Sequence, residues 1–132
     1  MIFCPMQTMQ RLLGDKIALG LALLGQIIAT LAMLWPNPEL PDVDLPFLDK
    51  WAHFVIFSIL YLLWAWALES KGPRVKWTLQ LVFALLIYGI IIESIQHYWY
   101  VSRKGDLMDV LANATGILIG FLAHQLKSKV YP

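Results

Sequence analysis

Three polar clusters interrupt otherwise apolar stretches of this chain. "DKWAHF" carries Asp49 and His53, "ESIQH" carries Glu93, Gln96 and His97, and "RKGDLMDVLAN" carries Arg103, Asp106, Asp109 and Asn113. A carboxylate and an imidazole brought together can exchange a proton, and a guanidinium can grip a carboxylate or another anion through forked hydrogen bonds. His53, Glu93 and Asp109 are therefore the candidates for acid–base chemistry, although no catalytic role follows from residue type alone. Arg103 is the candidate anion contact and the charge that would offset Glu93 and Asp109. Asp49, Gln96, Asp106 and Asn113 complete the expected ligand-binding set. No metal is expected: no H-x-x-x-H spacing occurs, and Cys4 is the only cysteine. Nor is there a serine elbow, a phosphate-cradling glycine loop or a kinase or deaminase signature, and no cofactor is expected.

The elements that hold these residues follow from composition. The chain has 132 residues, 59% of them hydrophobic and only 14% charged, with a mean hydropathy of +0.64. A soluble domain is nearer about 45–50% apolar, and so small a domain must show water a large polar surface. A lipid-facing surface resolves the conflict. Spans of about 20 apolar residues are read at 17–35, 51–68, 77–99 and 107–126. The first is longer than a signal-peptide core and no small-x-small cleavage site precedes "WPNP", so it is read as a retained helix. The expected fold is an all-α bundle of four transmembrane helices in a single domain, residues 1–132. The net charge of +1 offers no basic excess for nucleic acid.

Lys and Arg distribution sets the expected orientation. Arg11, Lys16, Lys71, Arg74, Lys76, Lys127 and Lys129, seven of the ten basic residues, fall on one side of the four spans. Lys50, Arg103 and Lys104 fall on the other, beside Glu39, Asp42, Asp44, Asp49 and Asp106. Both termini should then face the cytoplasm. Trp35, Trp51, Trp77 and Trp99 stand near span ends, where interfacial aromatics belong.

This topology brings the polar clusters to one depth. Gly89, Glu93, Gln96 and Tyr100 step by helical intervals, as do Asp106, Asp109, Asn113, Gly116 and Gly120. Each stripe should face a common interior, because an ionised carboxylate at mid-bilayer costs about 2.5–3.5 kcal/mol on insertion scales. Plainer roles exist for several members. Asp49, Asp106 and Asp109 also suit helix starts as caps, and Asn113, Gly116 and Gly120 also suit close helix packing. His97 reads as a wet interfacial residue and His124 lies at the opposite end. Glu93 has no such local reason, since a helix C-terminus disfavours negative charge.

The ordered set Asp49, Lys50, His53, Phe54, then Glu93 and Gln96, then Arg103, Asp106, Asp109, Asn113, Gly116 and Gly120 resembles the VanZ-like family of small membrane proteins. The resemblance covers about residues 49–120. It implies a bacterial plasma-membrane protein with an envelope role, of the kind linked to teicoplanin resistance, and names no reaction. The expected partner is a membrane lipid, lipid-linked glycan or lipoglycopeptide held in an outward-facing polar pocket. An outer-leaflet enzyme using His, Glu and Asp, or a structural subunit of a homo-oligomer or membrane complex, are the alternative expectations.

Overall fold

The computed structural model describes residues 5–35, 48–99 and 107–130. They form α1 (Pro5–Leu34), α2 (Leu48–Leu68), α3 (Arg74–Trp99) and α4 (Leu107–Val130), with no strand among the described residues. Each is long and apolar enough to cross a bilayer; even α2, at 21 residues, extends about 31 Å. The expected all-α architecture of four membrane-spanning helices is what the chain adopts. Three helices begin earlier than the apolar windows suggest, and α1 begins twelve positions before Ile17. Apolarity marks the part of a helix that lipid accepts, whereas backbone hydrogen bonding continues through charged residues such as Arg11, Asp15 and Lys16. Pro5 is tolerated at the first position because its missing N–H would have no intrahelical partner there.

The surface is apolar where a soluble protein's would be polar. Ile27, Phe83, Ile87 and Leu118 are all more than half exposed, which only hydrocarbon surroundings make inexpensive. The polar side chains lie inside instead: His53, Glu93, Gln96, Asp109, Asn113 and His124 are buried.

Helix α2 is central and touches the other three, while α1 and α4 do not meet among the described residues. Its broadest contact is with α4, and glycine makes that contact possible. A Cβ on Gly116 would collide with the Phe54 carbonyl oxygen, and one on Gly120 would come within 2.8 Å of Tyr61 Cβ and 3.0 Å of the Ser58 carbonyl. Ser58 stitches the approach, its Oγ lying 2.8 Å from the Phe54 carbonyl and 3.0 Å from that of Gly116. Small-residue contacts of this kind replace the hydrophobic effect, which cannot drive helices together in lipid. Phe57, Leu60, Tyr61, Leu85, Ile92 and Ile117 fill the core between α2, α3 and α4. On the far side, Ala18 and Ala22 of α1 pack against Ala67.

The helices alternate in direction. The start of α2 meets the start of α4 and the end of α3 through His53, Asn113 and Glu93. The end of α1 joins them through Met33 and Gln96. At the other end, Arg74 of α3 reaches His124 of α4. The turn from α2 to α3 uses Gly72 at φ +134°, a conformation that side-chain-bearing residues rarely adopt.

Gly116→Ala should therefore lower the unfolding midpoint in detergent, with a cost of about 1–3 kcal/mol from overpacking. Gly20→Ala, where nothing lies within 4 Å, should be neutral or stabilising by up to about 1 kcal/mol. Equal responses at the two positions would refute a close α2–α4 approach as the constraint.

Candidate functional site

The polar end of the bundle is assembled from α2, α3 and α4, each bringing the face its spacing defines. Asp49 and His53 are one turn apart on α2. Glu93 and Gln96 lie on the last turns of α3, and Asp109 and Asn113 on the first turns of α4. Glu93, Gln96, Asp109 and Asn113, together with Gly89, Gly116 and Gly120, form the buried faces of α3 and α4. Gly89 allows the crossing: a Cβ there would stand 3.2 Å from Asn113 Nδ2 and equally close to the Phe57 ring.

His53 is the hub. The residue is 4% exposed, with Nδ1 at 3.0 Å from Asn113 Oδ1 and 3.3 Å from Glu93 Oε1. Both neighbours are acceptors as placed, so the proton belongs on Nδ1. Even with the Asn113 amide reversed, the Glu93 oxygen still calls for it. Nε2 then faces Asp49, whose Oδ1 is 3.7 Å away at the half-exposed rim. This geometry can hold His53 as a neutral acceptor at Nε2, or as a cation between Glu93 and Asp49. Such a residue can pass a proton from the rim to the interior.

Beside it, Lys50 Nζ lies 3.3 Å from Asp109 Oδ1, the lysine partly exposed and the carboxylate buried. A lysine one turn before His53 keeps its head near the surface while neutralising a carboxylate deeper in. Charge distribution marks Lys50 only as an outer-face charge, whereas its position three residues before His53 places it on the same helix face. Asp49, His53 and Asp109 each offer a ligand atom, all within 4.8 Å of one another. An ion there would compete with Lys50 for Asp109.

Gln96 is at the right depth and buried, with its amide directed to α1. Its Nε2 donates to the Met33 carbonyl at 2.6 Å, one of the carbonyls that the end of α1 leaves without an intrahelical partner. It thus ties α3 to α1 rather than orienting His53. His97, one turn after Glu93, is exposed. Arg103 and Asp106 lie outside the described residues, as does Tyr100.

Two other polar features were not legible. Gln26 Oε1 accepts from Trp64 Nε1 at 3.0 Å, and Thr30 Oγ1 stands 2.8 Å from the Tyr88 hydroxyl. These bonds line a largely apolar crevice of about 520 Å³ among α1, α2 and α3. Trp77, expected at the interface, is buried instead, its ring edge-on to His124 with centroids 5.6 Å apart. The clue for Trp77 lay in its position one turn after Arg74, on the face that α4 covers.

The model of the VanZ/LLP1 family matches residues 3–128, nearly the whole chain. The chain belongs to the VanZ/LLP1 family. No curated protein and no solved structure matches it.

Removing the shortest partner of His53 should be costly. Asn113→Ala should destabilise the protein in detergent by about 1–3 kcal/mol, the range for a buried polar group losing its partner. In a double-mutant cycle, Lys50→Met and Asp109→Leu should couple by about 0.5–3 kcal/mol. Strict additivity would show that the contact at 3.3 Å carries no interaction energy.

Proposed function

We propose that this VanZ/LLP1 protein resides in the bacterial plasma membrane with both termini in the cytoplasm, and that its polar end opens outward to bind the polar head of an envelope molecule. The ligand class is a lipid, a lipid-linked glycan or a lipoglycopeptide, in a role related to teicoplanin resistance. Asp49, His53, Glu93, Asp109 and Asn113 would form the charge-balancing and proton-exchanging set. Arg103 would contact an anionic or carboxylate group, and Gln96 and Asp106 would border the pocket. The observation that carries this reading is His53, buried between Glu93 and Asn113 with its other nitrogen directed at the rim. A bundle that needed only stability would gain little from such a cluster, because apolar residues of the same volume often serve as well or better than buried ion pairs.

A second reading is supported by the same imidazole. With Nδ1 held by Glu93 and Asn113, Nε2 is oriented as a general base toward the surface. An outer-leaflet enzyme would use it there on a lipid-linked substrate.

Orientation is tested at Cys4, the sole cysteine. A membrane-impermeant maleimide should label it only after the cells are opened, and labelling of intact cells would reverse the topology. Function is tested by deletion and complementation, reading teicoplanin sensitivity and the profile of polar lipids and lipid-linked precursors. The wild-type chain should restore both, whereas Glu93→Gln, Asp109→Asn and Arg103→Lys should not, at unchanged membrane abundance. Full restoration by all three would sink the pocket. Conversion of an accumulated precursor by purified wild type, but not by His53→Ala, would decide for the enzyme.

A further inference from the structure

The opposite end of the bundle holds a second polar cluster with inverted chemistry. Arg74, at the start of α3, directs Nη2 to His124 Nδ1 at 3.3 Å and to the His124 carbonyl at 3.3 Å. A guanidinium only donates, so His124 Nδ1 must accept, and the ring proton is placed on Nε2. His124 is 4% exposed, and its Nε2 is among the buried atoms without a hydrogen-bond partner. So are Arg74 Nε, Trp77 Nε1 and the Tyr61 hydroxyl. Trp77 stacks edge-on against His124, and Tyr61 packs edge-on against Phe121, one turn before it on α4. All four unpartnered groups can donate a hydrogen bond. Of the four, His124 is the one that lines the crevice between α2 and α4, where its Nε2–H is the donor an anion would meet.

His124 also lines a crevice of about 290 Å³ between α2 and α4. Its wall toward mid-membrane is Ile59, Leu62 and Leu63, while Glu69 and Lys127 stand with His124 at its mouth. Glu69 Oε1 is 3.6 Å from His124 Nε2, just too far for a hydrogen bond, on a side chain half exposed to solvent. That carboxylate marks where an anionic oxygen would be placed, and it can swing away. The last turn of α4 adds Lys127 and Lys129, and Lys71 and Lys76 flank the turn into α3.

We propose that this crevice is a binding site for an anionic glycerophospholipid. Its phosphate is received by His124 Nε2–H and Lys127, and one acyl chain lies along Ile59, Leu62 and Leu63. Arg74 is a positioning residue that holds the His124 tautomer and adds positive charge. Glu69 is the competitor that the phosphate displaces. The site is independent of the His53 cluster, which lies at the other end of the helices.

The test uses the full chain in nanodiscs of equimolar phosphatidylcholine and phosphatidylglycerol, with bound lipid read by native mass spectrometry. Wild type should retain phosphatidylglycerol over phosphatidylcholine by about fivefold, the scale of one basic side chain near an anionic lipid. The exposed-residue variant Lys127→Gln should bring the ratio toward parity, Arg74→Gln should do the same, and Glu69→Gln should raise it. Absence of a preference in wild type, or a preference that these three variants leave unchanged, would overturn the site in favour of diffuse attraction to the basic collar. Millimolar inorganic phosphate is the other arm. If it displaces phosphatidylglycerol and also stabilises the protein in pure phosphatidylcholine, free phosphate is the ligand and the lipid assignment fails.

Discussion

At Gly116 the backbone of α4 lies against the Phe54 carbonyl of α2, with no room for a Cβ between them. The polar end depends on this approach. His53 precedes Phe54 on α2, and Asn113 is one turn before Gly116 on α4, so the two side chains meet at 3.0 Å because their backbones are so close. With one methyl group between the helices, the imidazole and the amide would each lose a partner in surroundings where lipid offers no substitute. Packing and polar satisfaction are therefore a single constraint at this interface, and Ser58, bonded toward both helices, shows it again one turn further on.

The same logic distinguishes the two ends of the bundle. Each has a buried histidine, and each histidine's proton is placed by its neighbours. His53 Nδ1 faces the oxygens of Asn113 and Glu93 and so carries the proton. His124 Nδ1 faces the Arg74 guanidinium and so accepts. As neutral rings, one turns an acceptor toward its rim and the other a donor. Identical side chains acquire opposite chemistry from what the adjacent helix presents, and this follows from which helix starts and which ends at each surface.

Helix α1 has a different role. Among the described residues it does not meet α4, and it contributes a carbonyl to Gln96, hydrogen-bonding groups to Trp64 and Tyr88, and a small-residue face to α2. The crevice it leaves between itself and α3 shows that it closes the bundle more loosely than α4 does.

The residues themselves determined the number of spans, their all-helical character, and the faces that point inward. Hydrocarbon forbids unpaired backbone groups and penalises exposed charge, so long apolar runs must be helices and Glu93, Asp109 and Asn113 must share an interior. Helical spacing was enough to place Gly89, Gly116 and Gly120 on those same faces. Which atoms would meet was decided only by tertiary structure. Gln96 has the right depth and face but turns to the Met33 carbonyl, because the end of α1 happens to lie there. Lys50 reaches Asp109, and Trp77 is covered by His124, through helix rotations and separations of a few ångströms. Periodicity records which side of a helix is buried, whereas hydrogen bonds are won or lost over fractions of an ångström set by how closely two backbones can approach.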